Sequence, residues 1–132
     1  MNRIYPFILF AFTGCGPKDT DPEAADLEDP ALQVCVNQHM GYADESRIRI
    51  QTAKTLKHLD CIDLGIRSLN GLEHYTGLET LSVWENDITD ISSLASLTNL
   101  KWLELGANNI NDISSLDALT QLTRLGISSN EI

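Results

Sequence analysis

The sequence predicts an α/β solenoid, with short parallel strands stacked along one concave face and a small cap at the N-terminal end. Two observations carry that expectation. Residues 78–99, LETLSVWENDITDISSLASLTN, and residues 100–121, LKWLELGANNINDISSLDALTQ, keep leucine, isoleucine and one asparagine in register every 22 residues while the residues between them vary. Within each copy an L-x-L pair puts two leucines on the same side of a strand. One such unit cannot bury its apolar side alone, and stacked units share a continuous interior.

The chain has 132 residues and a formal charge of −10, which suits one domain. A charge of that sign argues against nucleic acid or anionic lipid as the main partner, since both call for basic patches. Residues 1–14, MNRIYPFILFAFTG, have one early positive charge at Arg3 and then an apolar run from Ile4 to Phe12. That run is too short to span a bilayer, which takes roughly 20 residues, and fits a secretion signal. Thr13, Gly14 and Cys15 resemble the lipobox of bacterial lipoproteins, with Phe12 where that family usually has an aliphatic residue. The resemblance implies lipidation of Cys15 and, because Gly16 rather than Asp follows it, sorting to the outer membrane of a Gram-negative bacterium. The alternatives are an ordinary cleaved signal with an incidental cysteine and a buried N-terminal helix. Removing residues 1–14 takes away Arg3 and no acid, which leaves a charge of −11.

Residues 15–30 continue as an acidic tether. The stretch GPKDTDPEAADLEDP carries six acids, one Lys and three Pro and has little to bury. Residues 31–55 form the expected cap. Leu32, Cys35, Val36 and Met40 share one helical face. Asp29 and Pro30 supply an N-cap and a first-turn proline, and Gly41 a stop. Ile48 and Ile50 alternate as in a short strand.

The repeats occupy residues 56–132 as 56–77, 78–99, 100–121 and a partial copy, 122–132. The second copy fills its apolar places with Leu78, Leu81, Val83, Ile88, Ile91, Leu94 and Leu97. The third uses Leu100, Leu103, Leu105, Ile110, Ile113, Leu116 and Leu119. The first, Leu56 to Tyr75, keeps every apolar place, with Cys61 at one of them and Leu64 in place of the asparagine. This pattern is the leucine-rich-repeat signature, and the I-x-D-I-x-x-L outer segment resembles the internalin type of bacterial repeat. The resemblance covers roughly residues 30–132 and implies a horseshoe whose concave face binds another protein. Asn86, Asn108 and Asn130 are then structural: an Asn side chain offers two donors and an acceptor where the strand turns, and in that family it ladders with the backbone of neighbouring coils. Asp90 and Asp112 stand where a short outer turn begins and read as N-caps. Cys61 takes an inward place on the first strand and Cys35 lies on the apolar face of the cap helix, so a cap packed on the first coil is expected to join them as a disulfide, which export permits; the alternative is two separate buried thiols.

Function is then expected in the residues that are free to vary. The outward strand places form three stripes: His58, Thr80, Trp102 and Arg124; Asp60, Ser82, Glu104 and Gly126; Ile62, Trp84, Gly106 and Ser128. Both tryptophans of the chain lie here although nothing in the interior needs them there, and exposed aromatics beside charge are typical protein-binding anchors. The alternative is that the two rings cover each other and the strand backbone. Catalysis finds no support. His39, His58 and His74 lack metal-ligand spacing, no nucleophile elbow or phosphate-binding glycine loop is present, and Gly65, Gly71 and Gly77 sit at turns. No cofactor, metal or nucleic acid is implied, and the membrane is reached only through the lipid anchor. The function read from the sequence is therefore an envelope-anchored protein-binding module. The alternative is a non-catalytic recognition or spacer domain of a longer protein, because LTRLGISSNEI stops mid-repeat and leaves an apolar end without a closing cap.

Overall fold

The computed structural model describes residues 23–43 and 46–132. The expected signal segment 1–14, Cys15 and the acidic residues through Pro22 lie outside them. Helix α1, Pro30–Met40, begins at an extended Asp29 whose Oδ1 accepts the N–H groups of Ala31 at 2.9 Å and Leu32 at 3.3 Å. It ends at Gly41, left-handed at φ 76°, a conformation that carries no Cβ penalty for glycine. Leu32, Cys35 and Val36 are buried on its inner face, and Met40 is half-buried.

Two parts of the cap differ from the sequence reading. Ile48 and Ile50 are not on a strand. Arg49 makes one antiparallel bridge to Ala24, flanked by Ala25 N–H to Ile48 O at 2.7 Å and Ile50 N–H to Glu23 O at 2.7 Å. The chain must then turn back to enter the first coil, and it does so as the helical turn α2, Ile50–Ala53, which buries Ala53. The acidic stretch is also not free over residues 23–29. Ala25 and Leu27 are buried in the core, so a segment read by its charge as spacer is tied down by its two small apolar residues.

Each repeat supplies one three-residue strand: β1 His58–Asp60, β2 Thr80–Ser82, β3 Trp102–Glu104 and β4 Arg124–Gly126. They form a parallel sheet in the order β1-β2-β3-β4 with the register His58↔Thr80, Thr80↔Trp102 and Trp102↔Arg124, one repeat per strand. Beyond each strand the chain takes a left-handed residue at the same place in every coil, Asp63, Glu85, Ala107 and Ser129, at φ 52–59°. It returns along the convex side through short 3₁₀ helices: η1 Leu72–His74, η2 Ser92–Ser96 and η3 Ser114–Ala118. Asp90 and Asp112 are not the N-caps expected from the sequence: Ile91 and Ile113 hold those places in η2 and η3. Each Asp, one residue earlier, accepts the N–H two residues on, from Ser92 and Ser114, at 2.8 Å, as in an Asx turn.

Leu81 and Leu103 are buried between coils, whereas Leu125, in register with them on β4, is 44% exposed because no coil of the described chain stacks on it. The asparagines bind consecutive coils. Asn108 Oδ1 accepts from Ile88 N at 3.0 Å, and its Nδ2 donates to Val83 O and Leu105 O, each at 3.0 Å. Asn86 does the same toward the first coil, reaching Leu64 N, Ile66 N and Cys61 O. Asn130 repeats the pattern on Ile110 N and Leu105 O in a half-exposed setting.

The cap closes the first coil by three devices. A disulfide joins Cys35 to Cys61. Asp29 Oδ2 accepts Arg67 N at 2.8 Å and Ser68 N at 3.3 Å. Gly71, left-handed at φ 97°, meets the cap so closely that a Cβ there would lie 2.0 Å from Asp26 O.

Candidate functional site

Successive strand residues face opposite ways, so burying Leu59, Leu81 and Leu103 turns their neighbours outward onto the concave face. The sheet extends past the assigned strands through Cys61 N–H to Ser82 O at 2.9 Å, Asp63 N–H to Trp84 O at 3.1 Å and Glu85 N–H to Gly106 O at 3.0 Å. Ile62 and Trp84 therefore share the face with the three-residue strands. The sequence-predicted residues lie together around a cleft of about 680 Å³. One wall holds His58, Thr80 and Trp102, the other Ile62 and Trp84, and Asp60, Ser82 and Glu104 run between them. Arg124 is exposed on β4 but lies outside the lining.

Trp84 and Trp102 remain 40% and 46% exposed, so they do not simply cover one another. Trp84 does lie over backbone: a Cβ at Gly106 would sit 2.8 Å from its Cδ1 and 2.9 Å from Glu104 Oε1. Gly126 leaves a similar gap, where a Cβ would sit 2.0 Å from Glu104 Oε2. The two glycines thus let an indole and a carboxylate lie against the floor of the face. Glu104 is held there by Gly106 N–H, which donates to Oε1 at 3.0 Å. Among the described residues, neither Glu104 nor Asp60 has an ion-pair partner.

His39 is the lining residue that sequence reading missed. It comes from the cap, and only the fold brings it to the face. Its Nδ1 donates to Cys35 O at 2.9 Å, and its Nε2 accepts the outward Asp60 N–H of edge strand β1 at 3.4 Å. That contact uses the Nδ1–H tautomer and satisfies a backbone donor that β1, at the sheet edge, turns away from β2. His58 Nδ1 and Thr80 Oγ1, one coil apart, are hydrogen-bonded at 2.8 Å.

Away from this face, Lys57 and Lys101 flank Glu79, and the hydrogen bond and charge of Lys101 hold its carboxyl below the usual range. Among the described residues no group of three or more His, Cys, Asp or Glu is placed to hold a metal, and no helix is long and apolar enough to cross a membrane.

The fold is a leucine-rich-repeat solenoid, and a family model for the leucine rich repeat matches residues 76–132. The chain is similar to an internalin, InlF, from Listeria monocytogenes at 29% identity and a TM-score of 0.73, covering 77% of this chain and 30% of that one. It is similar to the functional domain of InlJ from the same organism at 29% identity and a TM-score of 0.74, covering 77% of this chain and 22% of that one. A leucine-rich-repeat protein of Leptospira interrogans shares the fold, at 23% identity and a TM-score of 0.56 over 63% of this chain and 22% of that one. The chain thus spans less than a third of the length of these solved proteins. No curated protein matches it.

Proposed function

We propose that this protein is a binding module of the cell envelope that captures another protein on the concave face of its solenoid. The observation that carries this reading is the clustering of exposed apolar side chains. The inward strand leucines Leu59, Leu81 and Leu103 are buried, yet Ile62, Trp84 and Trp102 stand 40–46% exposed around one cleft. A contiguous patch of that kind on a rigid, hydrogen-bonded sheet is the usual setting of interface anchors. Similarity to internalin structures supports the architecture of the reading. Export of residues 15–132 after a signal at 1–14, with lipid on Cys15 and the outer membrane as destination, rests on the N-terminal sequence, and the Cys35–Cys61 bond supports an oxidising compartment.

A photo-crosslinking side chain at Ser82, in the cleft, is expected to trap a discrete protein adduct in the native cells. The same group at Ala95, on η2, is expected to trap none. The double variant Trp84→Ala, Trp102→Ala removes the adduct from position 82 without lowering the unfolding midpoint. Adducts formed only from position 95, or unchanged in the double variant, reject the concave face as the binding surface. For the anchor, Cys15→Ser is expected to move the protein from the membrane to the soluble fraction.

A further inference from the structure

We infer that the concave cleft recognises a cationic side chain, an arginine or lysine that the partner presents between the two tryptophans. The inference rests on the concave-face reading above and gives the chemistry of its occupant. Asp60 and Glu104 lie on the central stripe, two strands apart and therefore about 10 Å between backbones. Among the described residues neither is neutralised by an ion pair, whereas Asp26, Glu79 and Asp87 each have one. Any surface that covers the cleft takes both carboxylates out of water. Burying an unpaired charge costs far more than two indoles repay, so an apolar occupant is disfavoured and a positive one compensates. Trp84 and Glu104 meet over Gly106, so an aromatic face adjoins the carboxylate that would hold the cation, an arrangement suited to a guanidinium or ammonium group. Arg124, the nearest positive residue of the face, lies outside the lining and does not fill the role itself. The net charge of −10 draws cationic partners in the same sense.

The test uses the whole chain and its own emission, since it has two tryptophans and both line the cleft. The probes are a short blocked glycine peptide with one central arginine and the same peptide with citrulline or glutamate instead. The arginine peptide is expected to saturate the fluorescence change at a concentration at least tenfold lower than the citrulline peptide, and added salt to weaken it. The glutamate peptide is expected to give no change. Glu104→Gln and Asp60→Asn, which keep side-chain shape, are each expected to weaken arginine binding at least fivefold with the unfolding midpoint unchanged. Equal binding of the arginine and citrulline peptides overturns the cationic occupant. If Trp84→Ala then abolishes both, binding on the concave face survives. If the Trp84→Ala, Trp102→Ala double variant still binds the peptides by calorimetry, both readings fall.

Discussion

Asp29 and Arg67 are joined by a carboxylate that serves two structures at once: Oδ2 accepts the Arg67 backbone N–H at 2.8 Å while Oδ1 caps helix α1. The first coil needs this. At its asparagine place it has Leu64, whose side chain is 46% exposed and offers no hydrogen bond back toward the cap. The cap instead bonds the coil in the opposite direction, with an acceptor from its own helix terminus. Asp29→Ser separates the two roles, because serine still caps a helix but is too short to reach Arg67 as well. Loss of an N-cap costs about 1 kcal/mol, and loss of the acceptor shared by the exposed Arg67 N–H and the half-buried Ser68 N–H about 1 kcal/mol more. Urea unfolding with the disulfide intact is expected to rank the native protein, Asp29→Ser and Asp29→Ala in descending stability. Stability of Asp29→Ser equal to that of the native protein would remove the second role.

The asparagine ladder predicts a gradient rather than a uniform cost. Asn86 and Asn108 are 7% and 6% exposed, and Asn130 is half-exposed. Replacing Asn108 with Ala leaves the buried Ile88 N–H without its acceptor, while the Val83 and Leu105 carbonyls keep the Nδ2 groups of Asn86 and Asn130. At about 1–3 kcal/mol per buried unsatisfied group, a loss of roughly 1–3 kcal/mol is expected. Water can reach the same groups around Asn130, so Asn130→Ala is expected to cost about 1 kcal/mol or less. Equal losses at 108 and 130, measured by chemical denaturation, contradict the burial argument.

How much of this was legible in the sequence depends on the residue. Leu59, Leu81 and Leu103 announced both the strands and the register, because a strict period fixes which side faces inward. Asp29, Pro30 and Gly41 marked α1 by capping chemistry alone. Ile48 and Ile50 misled, since two alternating isoleucines satisfy a strand pattern while among the described residues the pairing there is one bridge from Arg49 to Ala24. The left-handed residues Asp63, Glu85, Ala107 and Ser129 gave no signal, because none is the glycine such a backbone favours. Asn37 was equally hidden. Fully buried, it donates to Ala43 O and Ser46 O and accepts from Gln33, a role set by a loop that no local pattern describes. In the cleft, the strand stripes were readable from spacing. His39 was not, because it reaches the face through tertiary packing of the cap.

The Cys35–Cys61 disulfide closes a separation of 26 residues. Its loop-closure contribution is about 3 kcal/mol in the chain-entropy model. Because it joins α1 to the residue after β1, Cys35→Ser with Cys61→Ser is expected to loosen the cap first. Amide exchange is expected to rise in residues 30–40 well before it rises in the third repeat, and the unfolding midpoint to fall by the equivalent of about 3 kcal/mol. Two titratable thiols in the oxidised native protein would contradict the pairing.

Tyr75 gives the fold an alkaline limit. Its ring is fully buried, its hydroxyl donates to Ala25 O at 3.1 Å, and burial, with the nearby Asp26 charge second, pushes the phenol well above its ordinary value. A group whose folded pKa is raised stabilises fully below its unfolded pKa, near 10, and that stability is lost as pH rises above it, since only the unfolded chain then releases the proton. Glu79, held low mainly by Lys101, acts in the opposite sense: its contribution is present above the carboxylate range and lost as pH falls through its depressed value. Thermal midpoints are therefore expected to decline on both sides of neutrality. In a spectroscopic titration Tyr75 ionises only together with unfolding. Tyr75→Phe is expected to cost about 1 kcal/mol near neutrality through the lost hydrogen bond, and to flatten the decline above pH ~10. A Tyr75 that ionises while the protein is still folded would show that the cap does not seal this ring from water.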